Sequence, residues 1–246
     1  MNKFSIYIIF FLSLHTQISY SQNNSNNLSS SPYSLYGLGI TNDISTGKTN
    51  TLGKTGIAMS STTSINNLNP ASFGTIPKGS FLFDLGIKAE RETLFKGSTI
   101  ETKFNANFSS IAIAFPITKN SGFGAVLIPF TNVGYTISGI ETEINGSTNT
   151  FLSEINGSGG LNDLKLNYGY KFGQKLHLGL SGSVLFGKIK EEEIDIINEN
   201  VLYISEENYY HGFRLGMGIQ YDFNNKISFG GIVNLPVKLF IVTIDK

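Results

Sequence analysis

The chain contains no cysteine and no tryptophan in 246 residues. Without cysteine there is no disulfide staple, no thiolate zinc site, no cysteine nucleophile and no lipid-bearing N-terminal cysteine. Charge is scarce and balanced, at 15% of residues with 18 basic against 18 acidic and a formal net charge of +0. That excludes the basic stripe with which nucleic-acid binders neutralise phosphates, so no nucleic-acid partner is expected. Beyond the first residues no apolar run is long enough to cross a membrane as a helix. Glycine, at 27 residues, and aromatic side chains, at 12%, are by contrast generous. The pairing suits strands: glycine admits close backbone approach, and Tyr and Phe must supply any interfacial girdle that tryptophan does not.

Residues 1–21 read as a secretory signal peptide. Lys3 gives the charged start, residues 6–14 the apolar stretch, and Ser19 and Ser21 the small residues that a signal peptidase inspects. Gln22 then opens a polar low-complexity linker, 22–31, rich in Asn and Ser. Residues 53–73 are small and polar and cannot build a core of their own, and residues 32–40 are an aromatic and glycine patch, so 32–78 suggests a segment that docks inside a barrel or against its rim. Two Gly-Lys-Thr triplets in it, at 47–49 and 53–55, lack the glycine five residues upstream that a phosphate loop needs, since Asn42 and Lys48 stand there.

From residue 79 onward the period is two. Phe81, Phe83, Leu85 and Ile87 oppose Asp84, Gly86 and Lys88. Leu164, Leu166, Tyr168, Tyr170 and Phe172 oppose Lys165, Asn167, Gly169 and Lys171. Leu176 to Phe186 and Phe213 to Phe223 repeat the pattern, with His177, Arg214 and Asp222 on the polar side. Such alternation means one wet face and one apolar face. The apolar phase slips between Phe108 and Ile111, which predicts a bulge near Ser109-Ser110, and Pro129 predicts a kink because it cannot donate to a ladder. Short connections at 117–121, 173–175 and 224–225 alternate with polar stretches at 90–101, 138–162 and 188–208, expected as loops. Short turns at one end and long loops at the other are the arrangement of outer-membrane barrels. The fold class expected is therefore all-β: an antiparallel transmembrane β-barrel over 79–246, incomplete at seven or eight strands, with an N-terminal hatch segment at 32–78. Lys165, His177 and Arg214 are expected to face the lumen. Seven strands are clear, and residues 237–244 are the candidate eighth after a tight turn at 234–236.

The glycine- and alanine-bearing stretch with Gly53, Gly56 and Ala58, closed by Asn69-Pro70-Ala71 just ahead of the first strand, resembles the hatch of FadL-type outer-membrane transporters. The wording of 115–117 (Phe-Pro-Ile) and 133–135 (Val-Gly-Tyr) matches the same family. The resemblance implies transport of small hydrophobic molecules such as fatty acids. The candidate ligand path is then Leu35, Tyr36, Ile57 and Met59 on the hatch, with Phe130 on the wall. It also implies three partners: membrane lipid, a small hydrophobic ligand and the barrel-assembly machinery. Family members have roughly fourteen strands, so the resemblance would cover about the N-terminal half of a transporter, and truncation is the expectation. Two other readings stand beside it: a non-transport outer-membrane barrel serving as a secretion-system component or scaffold, and a soluble secreted β-sandwich binding module. Nothing points to an enzyme, a cofactor or a metal. His177 and His211 lack further ligands near them, residues 179–183 lack the last glycine of a nucleophile elbow, and Glu191-Glu192-Glu193 reads as a solvated loop. Asn145-Gly146 and Asn156-Gly157 read as turn formers.

Overall fold

A computed structural model describes residues 31–42, 44–96, 99–143, 150–197, 200–224 and 226–245. The expected signal peptide, 1–21, and all but the last residue of the expected linker lie outside them, as does Asn145-Gly146. After a single turn of 3-10 helix at Pro32–Leu35 come β1 (Ile40–Thr41), the short helix α1 (Gly47–Thr51) and a second 3-10 helix at Pro70–Thr75. The strands follow: β2 (Leu82–Lys96), β3 (Thr99–Pro116), β4 (Ser121–Pro129), β5 (Thr131–Glu143), β6 (Thr150–Phe172), β7 (Leu176–Ile197), β8 (Asn200–Asp222), β9 (Ser228–Asn234) and β10 (Lys238–Asp245). They form one antiparallel sheet that curls into a half-barrel.

Two pairs of these strands are single strands interrupted by proline. β4 and β5 run end to end along β6, pairing Ser121 with Tyr170 at one end and Glu143 with Thr150 at the other. Pro129 ends β4, and the Phe130 amide keeps the ladder intact by donating to Leu161 O at 2.7 Å. Likewise β9 and β10 lie end to end along β8, with Leu235-Pro236 between them. Residues 237–244 therefore continue the seventh strand and are not an eighth. The expected bulge falls at Ser109, which the register passes over between the pairs Gly86–Ser110 and Ile87–Phe108.

The three long loops expected from sequence are for the most part strand. β2 and β3 pair out to Lys96–Thr99, β5 and β6 to Glu143–Thr150, and β7 and β8 to Ile197–Asn200. The period-two signal disappears there because neither face needs to be apolar. Glu191 opposite Glu206 and Asp195 opposite Leu202 still make a continuous backbone ladder. Asn156-Gly157, expected as a turn, lies inside β6. Gly157 lies under the Tyr135 ring, which a Cβ there would strike at less than 3.0 Å.

On the convex side Leu178, Leu180, Val184 and Phe186 of β7 are exposed beside Leu164 and Leu166 of β6 and Phe213, Leu215, Met217 and Ile219 of β8. The row from Leu176 to Phe186 is about the ten residues that a tilted strand uses to cross a bilayer. Beyond it the same face of β7 turns to Lys188, Lys190 and Glu192, with Lys190 and Tyr203 both donating to Glu192. Those donors hold the Glu192 carboxyl below its ordinary range. On the concave side at that level, burial and the neighbouring Glu191 push the Tyr135 hydroxyl well above its usual range, so it remains a donor to Glu191 Oε2 at 2.5 Å. No helix among the described residues is long and apolar enough to cross a membrane.

Candidate functional site: the seated plug

The concave face is filled by the chain's own N-terminal segment. Phe73, Ile65 and Ile76 of that segment pack with Ala112, Ala114, Val126 and Ile128 of the wall. What allows the contact is a row of missing side chains. Gly122 of β4 stands opposite Gly169 of β6, Gly169 opposite Gly179 of β7, and Gly179 opposite Gly218 of β8. Four aligned glycines make a furrow across four strands, and the turn at 69–74 lies in it. A Cβ at Gly169 would fall within 3.0 Å of Gly74 N and Pro70 O. One at Gly179 would meet Ala71 N and Pro70 C, one at Gly218 the Asn69 amide and Pro70, and one at Gly122 the Phe73 carbonyl, all closer than 3.0 Å. Gly124, one step up β4, clears room for the Phe73 ring in the same way.

Three asparagines pin the turn. Asn69, fully buried, donates from Nδ2 to Ile57 O at 2.7 Å and to Ile219 O at 3.0 Å, while its Oδ1 accepts from Ala71 N at 3.0 Å. One side chain thus joins plug to plug, plug to wall, and caps the 3-10 helix that Pro70 opens. Asn66 donates to both Gly56 O and Met59 O at 2.7 Å. Asn67 donates to Ile44 O at 3.0 Å, and its carbonyl accepts from Lys165 Nζ at 3.0 Å. Ser60 adds a bond to Gln220 Oε1 at 2.9 Å. Asn66 and Asn67 were missed by sequence reasoning, which saw only polar small-residue chain there.

Beneath the plug lies a charged group. Arg214 pairs with the buried Asp163, stacks over the Phe130 ring at 5.6 Å, and shares this small space with Lys165 and Asn67. His177, also buried, meets Asp222 through Nε2 at 2.9 Å. Lys165, His177 and Arg214 accordingly all sit on the concave face. Lys165 bonds the plug backbone, whereas His177 and Arg214 pair with carboxylates of the wall, so the three do not line an open passage at this level.

Of the hatch-motif residues, Asn69, Pro70 and Ala71 occupy the furrow, and Ala58 packs against Gly230 of β9. Gly56 turns back on Met59 with φ +124°, and Gly53, at φ +71°, meets nothing within 4 Å. The candidate ligand-path residues do not converge. Leu35 and Tyr36 are exposed beside β5, Ile57 contributes a carbonyl to Asn69, and Met59 borders an open polar cleft with Lys175, Gln220 and Asp222. Phe130 is under Arg214. Among the described residues no group of three or more potential metal ligands comes together.

A family model, BamG, matches residues 1–237. The chain belongs to the BamG family. No curated protein and no solved structure matches it. The family match overturns the resemblance to FadL-type transporters: the chain-long similarity is to a different family, and the hatch words that suggested FadL are short. The plug itself remains, as a feature of this BamG-family chain, but the expectation of hydrophobic transport loses the resemblance that carried it.

Proposed function

We propose that this BamG-family chain is a non-transport component of the outer membrane that works as a scaffold alongside the barrel-assembly machinery. The observation that carries the reading is the seated plug. Its backbone lies in a furrow of four glycines and is held by Asn69 to both plug and wall. A gate must leave its seat at each cycle, and here leaving would exchange each plug–wall hydrogen bond for one to water, at about 0.5–1.5 kcal/mol apiece, and would lift the apolar contacts of Phe73, Ile65 and Ile76 off the wall. A scaffold has the opposite need, a rigid wall whose concave side is permanently filled. The exposed apolar convex face supports a place in lipid, and BamG is a barrel-assembly-related family, which supports both the outer-membrane location and that partner.

The test is depletion of the native protein, with two readouts taken from outer membranes. One is the abundance of other barrel proteins; the other is recovery of the central barrel-assembly subunit with the tagged chain in mild detergent. The reading expects depletion to lower other barrels and expects the two proteins to purify together. Normal barrel levels together with purification of the chain alone would overturn it.

A further inference from the structure

A second feature of the concave side is separate from the plug seat. Where the β4–β5 strand kinks at Pro129, a pocket of about 150 Å³ opens between the plug segment and the β2–β3 hairpin. Five carboxamides line it: Asn42, Asn50, Asn105, Asn107 and Asn132. Its charged members, Lys88 and Glu90, pair with each other at 2.5 Å, so they offer no net charge to a ligand. Asn132 Nδ2 donates to Asn42 Oδ1 at 3.1 Å, orienting the Asn42 amide. Two polar atoms in the lining are buried with no partner among the described residues, Asn42 Nδ2 and Ser45 Oγ, and Ser45 is 4% exposed. Buried groups of this kind are met by an ordered water or by a ligand, and these two belong to the lining of a pocket large enough to admit one.

We propose that this pocket binds one neutral sugar unit. A pyranose offers hydroxyls that both donate and accept, and carboxamides supply both functions in fixed planes. An ion would need unbalanced charge, which the described lining lacks, and a purely apolar ligand would leave Asn42 Nδ2 and Ser45 Oγ unsatisfied. Pro129 and Phe108 also line the pocket and offer apolar surface to the C–H face of a ring. Position agrees. Through the register Pro129–Asn162–Phe186 the pocket is level with the last apolar residue of β7, at the end of the band away from the short turns. In outer-membrane barrels that end faces outside, where sugars arrive either free or on a glycolipid headgroup.

The test uses the full folded protein in detergent and saturation-transfer NMR with glucose, galactose, mannose and N-acetylglucosamine, followed by a glycolipid bearing whichever sugar responds. The expected result is transfer to at least one sugar, lost at least tenfold in both Ser45→Val and Asn42→Leu, while protease protection of the plug is unchanged. Tighter binding of the glycolipid than of the free sugar would assign the source to lipid, and equal binding to free sugar. No transfer to any sugar, or transfer that survives both substitutions, would overturn the proposal.

Discussion

Replacing Gly179 with valine is expected to unseat the plug while leaving the strands paired. The new Cβ would fall on Ala71 N and Pro70 C, which are backbone atoms in a turn already fixed by a proline ring. They cannot swing aside as a side-chain tip can. The wall offers no relief either, because Gly179 is flanked in register by Gly169 and Gly218, which hold the same turn. Overpacking of a tight core costs about 1–3 kcal/mol and occasionally more, and here the upper part of that range applies. Limited proteolysis should cut the variant within residues 44–76 under conditions that leave the parent intact, while the β signature in circular dichroism is preserved. Gly53→Ala is the matched comparison. It changes a glycine of the same segment but meets open space, so it carries only the left-handed backbone strain of about 1 kcal/mol.

Asn69→Leu is expected to be the most damaging single change in the plug. Leucine approximates the shape of asparagine but neither donates nor accepts. Ile57 O, Ile219 O and Ala71 N would all lose their partner in a site that is fully buried. At about 1–3 kcal/mol for each buried group left unpaired, with partial relaxation, the loss is about 3–5 kcal/mol. It should appear as a lower temperature for the heat-induced mobility shift and as weaker hydrogen-exchange protection at Ala71. If Asn69→Leu matched the parent in both measurements, Asn69 would not be the pin described above.

The strands were legible because alternation survives wherever one face meets an apolar medium, as in Leu164 to Phe172 and Leu176 to Phe186. The Ser109 bulge was legible as a slip of phase, and the Pro129 kink as a missing donor. The outer halves of β7 and β8 were not. Glu191-Glu192-Glu193 and Glu206-Glu207 form a continuous backbone ladder that needs no apolar face, and polarity on both faces reads as loop. The eighth strand failed for a related reason: Pro236 marks a break in hydrogen bonding, and a break within one strand looks in sequence like a turn between two. The plug seat was the least legible part. Each of Gly122, Gly169, Gly179 and Gly218 is an ordinary small residue on the polar face of its own strand. They form a furrow only through cross-strand register, which the sequence does not state. Asn69 was found because proline follows it, while Asn66 and Asn67 carry no comparable local mark.

The central claim is that the plug is a fixed part of the wall. It can be tested by stapling the two together with cysteines placed at Thr41 and Thr131, which stand directly opposite each other where β1 of the plug segment pairs with β5 of the wall, in a chain with no other cysteine to compete. A fixed plug predicts that Thr41→Cys with Thr131→Cys crosslinks spontaneously in the outer membrane, that the intact protein gives a single oxidised mass, and that the stapled form supports other barrel proteins as well as the reduced form does. A staple that forms but abolishes that support until it is reduced would show that the plug must move, and would contradict the account.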